Sequence, residues 1–387
     1  MVGLAVALAP MASSEVVPVP VPVAEAPSLH STASTRGDAA VLWRGFEHRW
    51  SDTNHRVNRL GSFISGMACG SSPCTATVVH GAASGIGSDT INYKTYFTEL
   101  AVDDVGLKPG YSEFALSGDE NNVIHTVRKV SMAADANTRA RDNYTVVLNG
   151  FDLCATEEAK KPISFFVWLH SERYDPASDT IEFLMELWLN CDCDTGTFLG
   201  IECESGEESA AYDVRVSYLV IAGEDGYHAS SKDFSRSYGW DHETEIYSDP
   251  ISGSITGSTR HTYPKAVLGL KKVLFDLENT EDRATILRDE GHWHHSWYTS
   301  VVPVNYESST GTMDLEVDLL FKQWADPVPT FSYKNKGNAF LQAQVVLLQF
   351  KDVDLTHRNH SGSYAWDKKN EPCSSDGRED FDVSFEF

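Results

Sequence analysis

The chain has 387 residues, of which 41% are hydrophobic, and its formal net charge is −25 at pH 7. A chain of this length is long enough for two or three packed domains. Its negative charge repels phosphate backbones and anionic lipid headgroups, so we expect no nucleic-acid partner.

The N-terminal segment, residues 1–43, is predicted to be an extended arm. It begins with a brief apolar run and lacks the basic start and long apolar core of a secretory signal, so a trimmed signal and a plain arm both fit. The alternating Pro-Val stretch that follows favours polyproline II. No run of about twenty apolar residues follows anywhere in the chain, so we expect no membrane insertion.

The seven cysteines are unevenly spaced, because six of them lie in the first two-thirds of the chain. In an oxidising compartment, close spacing predicts short-loop disulfides, with free thiols or metal ligation as alternatives. The closely spaced residues are Cys69, Cys74, Cys191, Cys193 and Cys203. Cys373 stands alone near the C-terminus. These cysteines and two N-glycosylation sequons favour secretion or a place on a cell or particle surface.

Secondary structure is predicted to be β almost throughout. Short segments rich in β-branched and aromatic residues alternate with Gly, Asp, Asn or Pro clusters, which is typical of antiparallel β-sandwiches. The clearest segments are residues 145–153, 162–170, 180–189, 213–223, 313–321 and 340–350. Residues 316–324 fit a short amphipathic helix equally well.

Four pairs of segments resemble each other in the same order, which predicts an internal repeat. The pairs are residues 49–57 with 239–246, 127–140 with 270–284, the strands from Thr180 and Thr312, and 210–223 with 338–350. We therefore expect two tandem antiparallel β-sandwich domains. Copy 1 would span residues 44–224 and carry long insertions, copy 2 would span 225–355, and a polar C-terminal tail would span 356–387.

The best repeated stretch contains a hydrophobic strand, an acidic turn, an Asn-x-Arg element and a further strand. In copy 1 the element is Asn137-Thr138-Arg139, followed by Gly150-Phe151 in the next strand. In copy 2 it is Asn279 with Arg283, and Trp324-Ala325-Asp326 forms a Trp turn. These motifs resemble those of the H-type lectin domain, the snail-agglutinin family of GalNAc-binding β-sandwiches. The resemblance covers the core of each copy, about half of the chain.

The resemblance implies a homo-oligomer with sugar bound in shallow grooves between protomers. The implied sugar-binding residues are Asn137, Arg139, Asn279, Arg283, Trp324 and Asp326. The arginines would hydrogen-bond sugar hydroxyls with their rigid fork of donors, and the tryptophan would stack on the sugar ring. A structural role stays open for them, because Asn and Arg after an acidic turn also satisfy turn backbone groups or pair with Asp135 or Asp282.

Histidine and tryptophan are concentrated in residues 290–299, which read EGHWHHSWYT. A strand here would place His292 and His294 on one face, and Trp293 and Trp297 on the other. The histidines suit zinc or copper, although no fourth ligand is evident. An aromatic patch for a glycan or protein partner and ordinary packing are the alternatives. We expect a contact surface, with the two tryptophans as further sugar-contact candidates.

The sequence contains none of the catalytic motifs with a known local geometry, such as Gly-x-Ser-x-Gly, His-Glu-x-x-His or a phosphate-binding loop. It therefore predicts a non-enzymatic, lectin-like protein that binds glycans or glycoproteins through avidity in an oligomer. No cofactor is expected, with calcium or zinc as the minor alternative. The competing hypothesis is a structural building block of an extracellular assembly, shell, filament or viral capsid.

Overall fold

The computed structural model describes most of the chain from residue 38 onward, and the described part is almost entirely antiparallel β-strand. The described residues are 38–50, 57–68, 74–84, 88–117, 123–155, 162–191, 211–241, 249–259, 263–279, 293–324, 336–367, 371 and 373–385. This confirms the predicted all-β fold. The residues left open between helix and strand, 316–324, belong to a strand.

Eighteen strands make up this structure. In chain order they are β1 (Asp38–Trp50), β2 (Val57–Ala68), β3 (Cys74–Ser84), β4 (Ser88–Val102), β5 (Gly106–Ser117), β6 (Val123–Ala133), β7 (Asn143–Ala155), β8 (Pro162–Asp175), β9 (Thr180–Cys191), β10 (Ala211–Gly223), β11 (Tyr227–Asp241), β12 (Ile251–Thr256), β13 (Lys265–Asn279), β14 (Trp293–Glu307), β15 (Thr312–Trp324), β16 (Lys336–Phe350), β17 (Val353–Asp367) and β18 (Arg378–Phe385).

Alternation of apolar side chains explains why these segments form strands with one buried face. In β9 the apolar residues Phe183, Met185 and Leu187 are at most 1% exposed, whereas Glu186 between them points outward. Strands at the centre of the molecule are buried more continuously. Every residue of β7 from Thr145 to Ala155 is buried.

The strands form three six-stranded arrays with a common pattern of pairing. Their orders are β12-β15-β14-β1-β4-β17, β18-β3-β2-β7-β10-β5 and β6-β9-β8-β13-β16-β11. A single bridge between Leu148 and Leu270 joins the last two arrays. Each array consists of two halves of three strands, such as β12-β15-β14 and β1-β4-β17.

This pattern divides the strands into three equivalent units of six. Unit 1 is β5 to β10, and unit 2 is β11 to β16. Unit 3 combines the two ends of the described chain, β17 and β18 followed by β1 to β4. In every unit the sixth strand lies between the first and third, and the fifth lies between the second and fourth.

The units are joined into a closed ring by three equivalent seams. In each seam the third strand of one unit pairs with the fourth strand of another, as β7 with β2, β13 with β8, and β1 with β14. Apolar residues of all three units belong to one contiguous core. The equivalent residues Leu42, Val147 and Gly269, one from each unit, meet inside this core. A Cβ built on Gly269 would lie 3.4 Å from Val147 and 3.6 Å from Leu42.

A β-bulge at the same position of each third strand marks the repeat a second time. The bulged residues are Arg44, Asn149 and Lys271. Glycine follows the bulge in two units, with φ of +132° at Gly45 and +111° at Gly150. A Cβ on Gly150 would lie 2.1 Å from the carbonyl oxygen of Ser62 across the seam, so the backbones touch there.

Unit 3 is fastened to unit 1 by covalent and ionic contacts near the C-terminus. A disulfide joins Cys154 of β7 to Cys373, just before β18. Next to it, the buried Arg59 guanidinium donates to both carboxylate oxygens of Asp152, with Nη2 2.6 Å from Oδ2. Arg59 Nη1 also donates to the carbonyl oxygen of Ser374, at 2.9 Å. The C-terminal strands are therefore an integral part of the fold.

Several sequence predictions differ from this arrangement. The predicted tail after residue 355 contains β17 and β18, and β1 begins inside the predicted arm, of which residues 1–37 lie outside the described structure. The pairing crosses the boundary expected at residue 224, since β8 pairs with β13, so the pattern has three units where two copies were predicted. The close spacing of Cys69 and Cys74 suggested a short-loop disulfide, and this prediction is wrong, because Cys74 is a free, buried thiol.

Candidate functional site

The Asn-x-Arg element lies in the turn between β6 and β7. Asp135 organises this turn, because its Oδ1 accepts from the backbone N–H groups of Asn137 at 3.1 Å and Thr138 at 3.0 Å. The side chain of Asn137 donates to Asp38 Oδ1 at 2.9 Å, and Asp38 Oδ2 accepts from the Leu107 N–H. Asn137 thus links unit 1 to unit 3, which is a structural role.

Arg139 is exposed, and its guanidinium binds the carboxylate of Asp179 in the β8–β9 turn. Its Nε lies 2.9 Å from Asp179 Oδ1, and Nη2 contacts Oδ2. Tyr174 donates to the same carboxylate at 2.7 Å. The tyrosine hydroxyl first, and the guanidinium second, lower the pKa of Asp179. The partner of Arg139 is therefore Asp179 and not Asp135, the partner that the sequence suggested.

Two tyrosines connect this turn to a cleft beside it. The rings of Tyr144 and Tyr174 are stacked, with centroids 6.0 Å apart and planes at 11°. The Tyr144 hydroxyl donates to Thr138 O at 2.9 Å and accepts from Arg141 N at 2.7 Å, so the ring is held at the start of β7. Tyr144 also lines the cleft.

The cleft lies in the seam between units 1 and 2 and has a volume of about 240 Å³. It is lined by Asn143, Tyr144, Thr145, Glu172, His228, Ala229, Ser230, Ser231, Lys271 and Val346. The bulged Lys271 of unit 2 reaches across the seam to form an ion pair with Glu172 of unit 1, and each side chain is 14% exposed. Two further lining residues belong to β11, where His228 Nε2 lies 3.2 Å from Ser230 Oγ. Charged, hydroxyl and aromatic groups therefore converge on one small space.

The two other seams use the bulged position differently. The Asn149 amide accepts from Trp43 N at 2.8 Å and donates to Val41 O at 3.0 Å. Arg44 donates to Val301 O at 2.9 Å and to Phe97 O at 3.2 Å. In both seams the side chain binds backbone groups, whereas Lys271 binds a side-chain carboxylate at the wall of a cleft. Of the three seams, the one between units 1 and 2 therefore has the chemistry best suited to a ligand.

The remaining predicted site residues do not join this cleft. Arg283, Asp326 and His292 lie outside the described residues. For Asn279, Trp293, His294 and Trp324 the description covers the backbone, and it pairs Trp293 with Trp324. Their role in sugar binding or metal binding stays a prediction.

Trp297 is the exception, because its side chain is described and belongs to the core. It is 4% exposed and packs against Phe165 and Phe275, with ring centroids 5.6 Å and 4.1 Å away. Its apolar faces are occupied by these neighbours. We therefore do not retain Trp297 as a sugar contact.

The match of Asn279 and Arg283 to the copy 1 turn is displaced by one strand. Asn137 and Arg139 precede the third strand of unit 1, whereas Asn279 ends the third strand of unit 2. Triplets of a polar residue, Thr and Arg precede all three third strands in the sequence, at residues 34–36, 137–139 and 258–260. This signal would have given the register and the number of units. Residues 34–36 and 260 lie outside the described structure.

Sequence reasoning missed the cleft residues, because Glu172 and Lys271 lie about 100 positions apart and belong to no local motif. Among the described residues no group of three or more His, Cys, Asp or Glu side chains is arranged to hold a metal ion. The same residues include no helix long and apolar enough to cross a membrane.

Comparisons with protein-family models, curated proteins and solved structures find no match. Nothing in them identifies an H-type lectin domain, and that resemblance stays a prediction.

Proposed function

We propose that this protein is a non-enzymatic, lectin-like carbohydrate-binding protein whose ligand occupies the cleft between units 1 and 2. The supporting observation is the convergence of Glu172, Lys271, Ser230 and Tyr144 on one space of about 240 Å³. This volume lies below the ~300–1,000 Å³ of pockets for drug-sized ligands. It therefore suits a ligand of one or two sugar rings.

The chemistry of the cleft favours a polyhydroxyl ligand. A carboxylate accepts and an ammonium donates several hydrogen bonds, so an adjacent pair can serve neighbouring sugar hydroxyls. A tyrosine ring offers an apolar face to the C–H side of a sugar. Single shallow sites bind weakly, which is why we retain a homo-oligomer with higher avidity as part of the proposal. The disulfide is compatible with the proposed secreted or surface location.

A glycan array tests this proposal with Glu172→Gln and Lys271→Met as cleft variants. Glu113→Gln is the matched control, because Glu113 forms an ion pair with Arg215 outside the cleft. We expect both cleft variants to lose about tenfold or more in affinity for the glycan bound by wild type, and the control to keep it. Equal glycan binding by all variants would show that the cleft is not the binding site. An array on which wild type binds no glycan would refute the lectin proposal. Loss of signal with EDTA alone would assign the site to a metal ion.

The structural building block remains the second candidate, because the strands at the array ends pair on one side only within the described structure. These strands are β5, β6, β11, β12, β17 and β18. Unpaired edges are templates for pairing between chains. Light scattering across a concentration series distinguishes the candidates. A fixed small oligomer favours the lectin, and mass that grows without limit favours the building block.

A further inference from the structure

The outer surface of the array β6-β9-β8-β13-β16-β11 carries an aromatic face, which we define as Phe166, Trp168, Trp188 and Leu274. Their strand neighbours Phe165, Val167, Leu187 and Phe275 are buried in the core, so these four side chains point to the opposite, solvent side. All four are partly exposed. Phe166 is paired in register with Leu274 on one side and Trp188 on the other.

The equivalent positions of the other two arrays are polar or covered. Where the aromatic face has Leu274 and Phe166, the array through β1 and β14 has Glu47 and Tyr298. Glu47 there accepts from Tyr96 at 3.0 Å and lies 3.6 Å from Lys94. An aromatic surface is therefore not a requirement of the repeated fold.

The third array is covered at this position by the chain itself. It has Asp152 and Gly61 there, and the buried Arg59 binds Asp152 and the backbone of Ser374. The Cys154–Cys373 disulfide fastens the same covering segment. Of the three equivalent surfaces, one is thus polar, one is covered by residues near the C-terminus, and one presents aromatic rings to the solvent.

The border of the aromatic face is polar but electrically balanced. Lys272 lies above Trp168, 5.6 Å from its ring centroid, and is 3.9 Å from Asp233. Glu186 binds His125 at 2.9 Å. In a chain with a net charge of −25, a border of paired charges favours a neutral ligand. The Trp168 ring is itself stacked on His170, with centroids 4.0 Å apart, and its indole N–H is buried without an acceptor among the described residues, so the rings left for a ligand are those of Phe166 and Trp188.

The size of the aromatic face selects the kind of ligand. It covers three adjacent strands, with two side-chain positions on β8 and one each on β9 and β13, which is at most roughly 10 Å by 7 Å. A stable protein interface needs about 800 Å² on each partner, roughly ten times this area. Aromatic rings bordered by a carboxylate, an imidazole and an ammonium match the alternating apolar faces and hydroxyls of a sugar chain.

We propose that the aromatic face is a second carbohydrate site, which binds a neutral oligosaccharide of a few sugar units by stacking on Phe166 and Trp188, while Trp168 packs against Phe166, with ring centroids 6.1 Å apart, and holds it in place. This site is separate from the cleft and does not depend on it. The cleft suits one or two sugar rings inside a seam, whereas the aromatic face has no end walls formed by its own residues and suits an internal stretch of a longer chain.

The experiment measures binding of neutral hexasaccharides of β-linked glucose, β-linked mannose and N-acetylglucosamine by calorimetry and tryptophan fluorescence. The variants are Trp168→Ala and Trp188→Ala. Tyr298→Ala is the matched control, because Tyr298 occupies the position of Phe166 in another array. We expect one hexasaccharide to bind wild type and the control, and to bind each tryptophan variant about tenfold more weakly. A milder variant, Glu186→Gln, keeps the test valid if a tryptophan variant fails to fold, and we expect it to weaken binding as well.

The outcomes separate this site from the cleft. Hexasaccharide binding that survives Glu172→Gln but not Trp168→Ala supports the aromatic face. Binding that is lost only in Glu172→Gln overturns it and leaves the proposed function in place. If no hexasaccharide binds wild type, the aromatic face is not a sugar site, whereas the glycan-array result for the cleft stands by itself. Binding of hexasaccharide that the tryptophan variants and Glu186→Gln leave unchanged also overturns it.

Discussion

Removing the Cys154–Cys373 disulfide is expected to weaken the attachment of the C-terminal strands. The bond joins residues 219 positions apart. In the chain-entropy description, closing a loop of this length lowers the entropy of the unfolded chain enough to stabilise the fold by roughly 5 kcal/mol. This is comparable to the whole stability of many single domains, which lies at about 5–15 kcal/mol.

The loss of stability should appear first in unit 3. β18 has eight residues and pairs only with β3 within the described structure. Without the disulfide it is held by this one ladder, by the contact of Arg59 with Ser374, and by side-chain contacts such as the stacking of Phe381 on His360. We therefore expect the double variant Cys154→Ser/Cys373→Ser to fold at room temperature but to expose β18 by local opening.

Two measurements check this expectation. Guanidinium unfolding should give a lower midpoint for the double variant, and hydrogen exchange should show lost protection over residues 378–385 before the rest of the chain. Cys74→Ser is the control, because Cys74 is a buried, free thiol of β3. An unfolding midpoint equal to that of wild type, or protection lost first in units 1 and 2, would refute this account of how the ring is closed.

Three further predictions concern the seams and the core. Gly150→Ala should destabilise the protein by about 3 kcal/mol in denaturant unfolding, because φ is +111° and the new Cβ would lie 2.1 Å from Ser62 O. The control is Gly66→Ala, whose Cβ would meet its nearest atom at 3.9 Å and which should cost about 0.5 kcal/mol. Equal losses of stability in the two variants would contradict the seam contact. Asp152→Ala should cost about 3–5 kcal/mol by the same assay, because it leaves the buried Arg59 guanidinium without its carboxylate; a loss under about 1 kcal/mol would mean that solvent reaches the pair. His80 is fully buried, and neither ring nitrogen has a hydrogen-bond partner in the part of the chain that the structure describes; desolvation first and His48 second lower its pKa well below 6.5. The native state therefore keeps it neutral while the unfolded chain binds a proton below pH 6.5, so between pH 7.5 and 5.5 wild type should lose about 1.4 kcal/mol more stability than His80→Phe; parallel pH profiles would show that His80 titrates alike in both states.

Much of the fold could be predicted from the sequence, because alternating apolar residues identify strands directly. The segments at residues 180–189 and 210–223 were matched correctly with 312–321 and 338–350, since β9 and β15 are both fifth strands and β10 and β16 are both sixth strands. The match of 127–140 with 270–284 failed, because it aligns the second strand β6 with the third strand β13. Alternation has the same period in every strand, so it does not distinguish one strand of a unit from the next.

The third unit was missed for a different reason. Its strands are divided between the two ends of the described chain, so no continuous segment of the sequence resembles the other units. The sequence of β17 is also polar and lacks the apolar alternation of the other strands. In the structure eight of its fifteen residues are exposed and only Val353 and Trp366 are buried. The pairing of Cys154 with Cys373 and of Glu172 with Lys271 depends on the closed ring, and neither follows from local spacing.

The division of unit 3 between the chain ends has a consequence for biosynthesis. During translation β1 to β4 leave the ribosome before the other described strands, but their partners β17 and β18 are made roughly 250 residues later. At about 5–20 residues per second, the first four strands wait on the order of 10–50 s with the edges of β3 and β4 unpaired. Units 1 and 2 are synthesised without interruption in that interval and can fold in order. Among the described strands the last event is then the capture of β17 and β18 by β4 and β3, and a chain that lacks β17 and β18 would keep those two edges open to pairing with other chains.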